Sequence, residues 1–285
     1  MNANNSLAMS ASEKVTGWRL FLKTILARAY PRVIGMQREK SWMFFDVFLP
    51  MLAVSAYVFV YRAIGAPEEY VGFVVIGGAM TAFWLNILWS MSSQLYWEKE
   101  QGNLALYIMA PNSMMAVLLG MALGGLVATA LRAFAIIIIG SWIFQVQYLI
   151  TSFTQLIAVF LLAMTALYGM GMMSASLFLL LSREAWHLAN LAQEPVYLAS
   201  GFYFPIKSFN FWIAAASSLI PLTLGLDAIR QLIFPSGALL GFLSVKFEII
   251  ALIVLCVFFL TGAKFLLDHM EKLAIREGRI TENRR

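Results

Sequence analysis

From Ser113 to Phe144 the chain runs about 32 residues with one charged side chain, Arg132, and no proline. As a helix it would rise roughly 48 Å, well beyond the ~30 Å hydrocarbon core of a bilayer, so it must tilt strongly or project past the headgroups. Other apolar runs lie at Trp42 to Ile64, Val71 to Ser93, Gln155 to Leu181, Ala185 to Phe204 and Phe247 to Leu267. Together they predict an all-α integral membrane protein with six transmembrane helices. Composition agrees. Only 12% of residues are charged, against about 25% in a soluble domain, and the load of 22 Phe, 16 Met, 10 Tyr and 8 Trp suits lipid-facing surfaces and interfacial belts.

The net charge of +5 and pI near 9.3 could suggest nucleic acid, but the basic residues gather at the two chain ends. With six spans, fifteen Lys and Arg fall on the side holding both termini, and four, Arg62, Lys207, Arg230 and Lys246, on the other. That bias places both termini in the cytoplasm of a multi-pass inner membrane protein and leaves no reason to invoke nucleic acid. One cysteine, Cys256, and two histidines, His187 and His269, are too few for a disulfide framework or a typical zinc site. No Gly-x-x-x-x-Gly-Lys-Ser/Thr loop, Gly-x-Ser-x-Gly elbow or His-Glu-x-x-His pair occurs, so neither ATP hydrolysis nor metal catalysis is expected of this chain itself.

In chain order, residues 1–41 read as a cytoplasmic arm. Its first 17 residues have a disordered composition and no cleavable signal is apparent. Trp18, Phe21, Leu22, Ile25, Leu26 and Ala29 recur at helical spacing opposite Arg19, Lys23 and Arg28, which predicts an interfacial helix with a basic face, broken or kinked at Pro31. Residues 42–267 form a single transmembrane domain, and 268–285 a cytoplasmic tail. Gly120-x-x-x-Gly124 is a close-packing motif with no partner specified. Between spans five and six, residues of about 205–235 hold two proline-bounded apolar runs too short to span, which reads as a pair of extracellular re-entrant or interfacial helices.

Two stretches carry a family resemblance. Gln94 to Pro111, QLYWEKEQGNLALYIMAP, is a short amphipathic run between two spans and should lie at the membrane surface. Its Glu-x-Glu-x-Gly-x-Leu pattern ending in Pro resembles the coupling helix, about 95–111 here, of ABC-2 type transporter permeases. Ser200-Gly201-Phe202-Tyr203-Phe204-Pro205, then Ile220-Pro221-Leu222-Thr223 and Asp227-x-x-Arg230, resemble that family's motifs between spans five and six. Gln101 and Asn103 around Gly102 are a modest departure.

The resemblance implies the permease subunit of an ABC exporter. It would pair with a second permease subunit, as a homodimer ahead of a heterodimer, and with two copies of a separate cytoplasmic ATPase that binds ATP and Mg. It implies outward transport of a hydrophobic, drug-like small molecule or lipid by alternating access, with a lipid-linked glycan as the alternative, kept open by Trp84, Trp89, Trp142 and Trp212. For coupling, Glu98 and Glu100 would meet the ATPase, Gly102 would allow a turn, and Leu104 and Leu106 would seat the helix. Phe83, Asn86, Asn190 and Tyr197 are substrate-path candidates by resemblance. Arg132 and Glu194 join them as costly intramembrane charges, Glu194 about nine residues, roughly 13 Å, into its span; the two either pair to fix packing or line the path. Phe202, Tyr203, Phe204 and Pro205 are outer-gate candidates or an interfacial belt. Asp227 and Arg230 read as a local helical pair. An ATP-independent carrier or a membrane assembly factor remain rivals, but neither accounts for both stretches.

Overall fold

The computed structural model describes residues 17–277 apart from 39, 111, 112 and 182. The expectations for the segment before Gly17, for Pro111 as the end of the coupling run and for the tail beyond Glu277 lie outside the described residues. All regular structure described is helical. The main elements are α1 (Trp18–Arg38), α2 (Lys40–Ala63), α3 (Glu69–Leu85), a π-helical segment (Asn86–Met91), α4 (Gln94–Glu100), α5 (Asn103–Met109), α6 (Met114–Phe144) and α7 (Phe153–Leu181). They continue with α8 (Arg183–Ala199), α9 (Phe211–Ser217), α10 (Pro221–Ile233), α11 (Gly237–Leu240) and α12 (Val245–Glu277).

Five helical stretches are long and apolar enough to cross a membrane: Met43–Ala63, Glu69–Glu100, Met114–Phe144, Phe153–Leu177 and Val245–Met270. The second is the axis of the bundle. In its most apolar window 94% of residues are buried, against 17% for α2 and 22% for α12, whose outer faces carry exposed Phe, Ile and Val. Its polar end also corrects a boundary: the first half of the coupling stretch continues the second span rather than forming a separate surface helix.

The span predicted over Ala185 to Phe204 is not among the five. Its helix, α8, has 17 residues and rises about 26 Å; it contains Pro195, and Ser200 to Phe204 form a turn. The path of the chain still depends on α8. Cys256 Sγ donates to the Leu162 carbonyl, Phe259 lies against Gly169 and Met173 against Gly262, so α7 and α12 run parallel. The chain therefore returns between them, over the segment that holds α8, α9 and α10.

Helix α1 does not end at Pro31. The proline side chain is exposed, so the carbonyl that loses its N–H partner can turn outward while the helix continues. Nor is α1 a free interfacial helix. It docks on the start of α6 along Gly120-x-x-x-Gly124, where an added Cβ would lie 2.5 Å from the Ile25 carbonyl oxygen and 2.8 Å from that of Ala29. Backbone meets backbone only because those positions are glycine. Gly120→Val is expected to cost about 1–3 kcal/mol in overpacking and local undocking, read as faster tryptic cleavage at Arg19 and Lys23 in detergent; unchanged cleavage would count against this docking.

At the end of the bundle opposite α1, α9 and α10 bend by 107° to each other. Helix α10 is buried along its whole length, and among the described residues Arg230 inside it makes no ion pair with Asp227, whose charge acts on it from a distance. Its guanidinium donates to the carbonyls of Gly201 (2.6 Å), Phe202 (2.7 Å), Phe204 (3.3 Å) and Phe73 (2.9 Å), and lies over the Phe73 ring. Asp227 instead accepts from the Phe242 backbone N–H at 2.8 Å and the Gln231 amide at 3.3 Å. Arg230 thus pins the turn after α8 onto α3.

Candidate coupling site

At the end of the bundle that carries α1, the central helix holds four polar residues at four-residue spacing: Asn86, Ser90, Gln94 and Glu98. Four-residue steps keep side chains on one helical face, and each of these meets a partner. The Tyr168 hydroxyl donates to Asn86 Oδ1 at 3.0 Å. Arg32 of α1 donates to Ser90 Oγ and Gln94 Oε1. Glu98 takes four donors: Arg28 Nη2 (2.9 Å) and Gln94 Nε2 (3.0 Å) on one oxygen, Asn103 Nδ2 (3.1 Å) and the Tyr107 hydroxyl (2.9 Å) on the other.

This network ties three elements together. Arg28 also sits over the Tyr107 ring at 4.6 Å, so α5 folds back onto α1 through both its polar edge and its aromatic face. Burial, aided by the bond to Glu98, raises the Tyr107 phenol above its ordinary pKa. Burial also lowers Arg32, with the charge of Glu98 among the opposing effects. The turn between α4 and α5 is made at Gly102, whose φ of +78° suits glycine.

The sequence placed some of these residues differently. Glu98 was expected to face a partner, but it is buried at 7% exposure and saturated within the chain. Glu100, Gln101 and Gly102 are the exposed tip. Leu104 is buried and seats α5, whereas Leu106 is 60% exposed and does not. Arg28 read as part of a basic face towards the headgroups; α1 instead turns it inward together with Arg32, leaving Arg19 and Lys23 exposed. The signal that could have found them is the four-residue polar stripe, unusual in so apolar a helix.

The path candidates separate into two groups. Phe83 and Asn86 are buried inside the chain, Phe83 against Phe160. Asn190 and Glu194 are exposed one turn apart on α8, and Tyr197 is half-buried beside Phe202. Glu194 and Arg132 do not meet: Arg132 forms its ion pair with Asp46 of α2, and the nearest described partner of Glu194 is the adjacent Gln193 amide, at 3.4 Å. Gln193 also accepts from Trp89 Nε1 at 3.0 Å, which links α8 to the π-helical segment. Among the gate candidates, Phe202 and Tyr203 are buried, Tyr203 stacked on Tyr57 at 4.0 Å. Among the described residues no three of His, Cys, Asp and Glu cluster closely enough to hold a metal ion.

Comparison with curated proteins finds no match. A family model does match, over residues 22–234, and its span takes in most of α1, the coupling pair, the Arg28–Glu98 contact and the hairpin α9–α10. The chain therefore belongs to the ABC-2 type transporter family, as a multi-pass membrane component of an ABC transporter that is not itself catalytic.

Proposed function

We propose that the chain is the permease of an ATP-driven exporter, with the exposed tip of α4 and α5 as the seat of a separate ATPase. The observation that carries this reading is the saturated Glu98 carboxylate. A tip resting on a buried, four-donor anchor can pass a push from outside to both α1 and the central helix, because a satisfied buried network is rigid. In this reading Glu100, Gln101 and the exposed Leu106 and Met109 form the docking surface, and charge at its rim sets partner choice and register.

Counting α8 with the five long helices gives six crossings, both termini in the cytoplasm of the inner membrane and the hairpin α9–α10 outside. One transmembrane domain then covers residues 42–267. The π-helical segment sits where the stripe begins, and such segments recur at functional sites. Two copies of the chain would face each other across α8, whose Leu191 and Leu198 are exposed, with Asn190 and Glu194 beside the substrate path between them. We take a hydrophobic small molecule as the substrate. Trp84 is buried and Trp89 bonds to Gln193, which leaves fewer aromatic faces for stacking the sugars of a glycan.

The test is a mild-detergent pull-down of tagged chain carrying Glu100→Lys with Leu106→Asp. An ATP-binding subunit is expected to copurify with the unaltered chain and to be reduced about tenfold or more with the variant, while membrane insertion is unchanged. Equal recovery of the ATPase would refute the docking surface.

A further inference from the structure

Away from the coupling site, at the far ends of α2, α3 and α6, lies a cavity of about 690 Å³, within the range of small-ligand sites. Its polar lining holds opposite charges side by side. Arg62 Nη2 lies 3.9 Å from Glu68 Oε2, and their side chains are 43% and 80% exposed. The guanidinium spends one N–H on the Phe144 carbonyl at 3.2 Å, leaving donors to spare. Glu69, by contrast, is occupied, accepting from the Ser236 backbone N–H and hydroxyl. The wall is preformed: Leu149 and Thr151 donate their backbone N–H groups to the Ile233 and Leu232 carbonyls at 2.8 and 2.9 Å, and the Tyr148 and Ser141 hydroxyls meet at 2.6 Å.

The cavity adjoins lipid-facing surface. Phe59, one turn inward from Arg62 and 63% exposed, meets Phe144 of the cavity wall edge-on. Trp142 on the adjoining turn is 81% exposed. A ligand here can therefore place an apolar chain along the Phe59 side and a polar head in the crevice.

We propose that this crevice binds the headgroup of an amine-bearing phospholipid, with its phosphate on Arg62 and its ammonium on Glu68. A simple anion would meet Arg62 but be repelled by the carboxylate beside it, and a simple cation would meet the reverse. A zwitterion of phosphate and ammonium satisfies both charges at once. On the orientation argued under Proposed function, the lipid belongs to the outer leaflet; binding itself needs only that the chain sits in a bilayer.

The test is native mass spectrometry of the purified chain from nanodiscs holding equal amounts of phosphatidylethanolamine and phosphatidylglycerol. The chain is expected to retain the ethanolamine lipid preferentially, and Arg62→Ala with Glu68→Gln to lower that retention about tenfold. Glu68→Arg, which removes the ammonium partner and adds a cation, is expected to turn the preference towards the glycerol lipid. Equal retention of both lipids by the unaltered chain, or undiminished retention by the double variant, overturns the proposal. So does displacement by soluble glycerophosphoethanolamine at the concentration of the lipid, which would make this a site for a free headgroup. No nucleotide or ATPase enters the assay, so its failure would leave the coupling reading standing.

Discussion

Arg230→Met is expected to remove roughly 3–5 kcal/mol of stability, because it leaves several buried carbonyl oxygens without a donor. Its four carbonyl acceptors come from two places: Gly201, Phe202 and Phe204 in the turn after α8, and Phe73 in α3. The Phe73 oxygen lies within a helix, which supplies its own donor, but no regular structure holds the turn carbonyls, and leaving them buried without donors costs about 1–3 kcal/mol each. Methionine fills much of the volume and supplies no donor. Arg230→Lys should fall between, since an ammonium is a compact point charge without the planar fork that reaches several carbonyls. The readout is the inactivation half-life in detergent at fixed temperature, together with membrane abundance. Wild-type persistence of the methionine variant would mean that the turn is held by something other than this side chain.

Glu98→Lys is expected to do comparable damage at the opposite end of the bundle. It sets a cation against Arg28 and strips Tyr107 and Asn103 of their acceptor, again roughly 3–5 kcal/mol for a buried pair broken and reversed. The contrast with Glu100→Lys, two residues on and exposed, is the informative part. The first should shorten the lifetime of the purified chain in detergent with no ATPase present, whereas the second should leave it unchanged and act only on partner recovery. Glu98→Gln keeps the shape and loses the charge, at a cost of about 1–3 kcal/mol. If Glu98→Lys leaves the isolated chain as long-lived as the wild type, the carboxylate does not anchor the coupling helices.

The sequence made the long helices legible because hydrocarbon imposes a length and an apolar content that few other settings require. The start of α7, the Gly102 turn and the two short helices near Phe209 to Phe234 were readable from the same punctuation of glycine, proline and polar breaks. The segment Ala185 to Phe204 was less so: an apolar count could not show that Ser200 onward leaves the helix, since Phe202 and Tyr203 are buried by protein. Charges were hardest to place. Arg132 found Asp46 across a helix pair 86 residues away in sequence, and Arg28 found Glu98 at a separation of 70; only tertiary packing selects among several equally costly pairings. Glu98 and Glu100 look alike on paper, and two residues along a helix turn one inward and the other out.

The central helix has a consequence for how the protein is made. Residues 69–100 are apolar enough to enter a bilayer alone, yet they end with 94% of the most apolar window screened from it. A newly inserted copy is therefore solvated by acyl chains that its neighbours must strip away, and in lipid that exchange gains nothing from water expulsion, only from close packing and polar contacts. The contacts able to drive it arrive in two stages: Arg28 and Arg32 of α1 precede the helix and meet its polar end, whereas Tyr168 for Asn86, Gln193 for Trp89 and Arg230 for the Phe73 carbonyl all follow it in the chain. Assembly of the bundle is thus completed by its C-terminal half, and a nascent chain stopped before α10 lacks the Arg230 contact and leaves the Phe73 end of its future centre partly facing lipid.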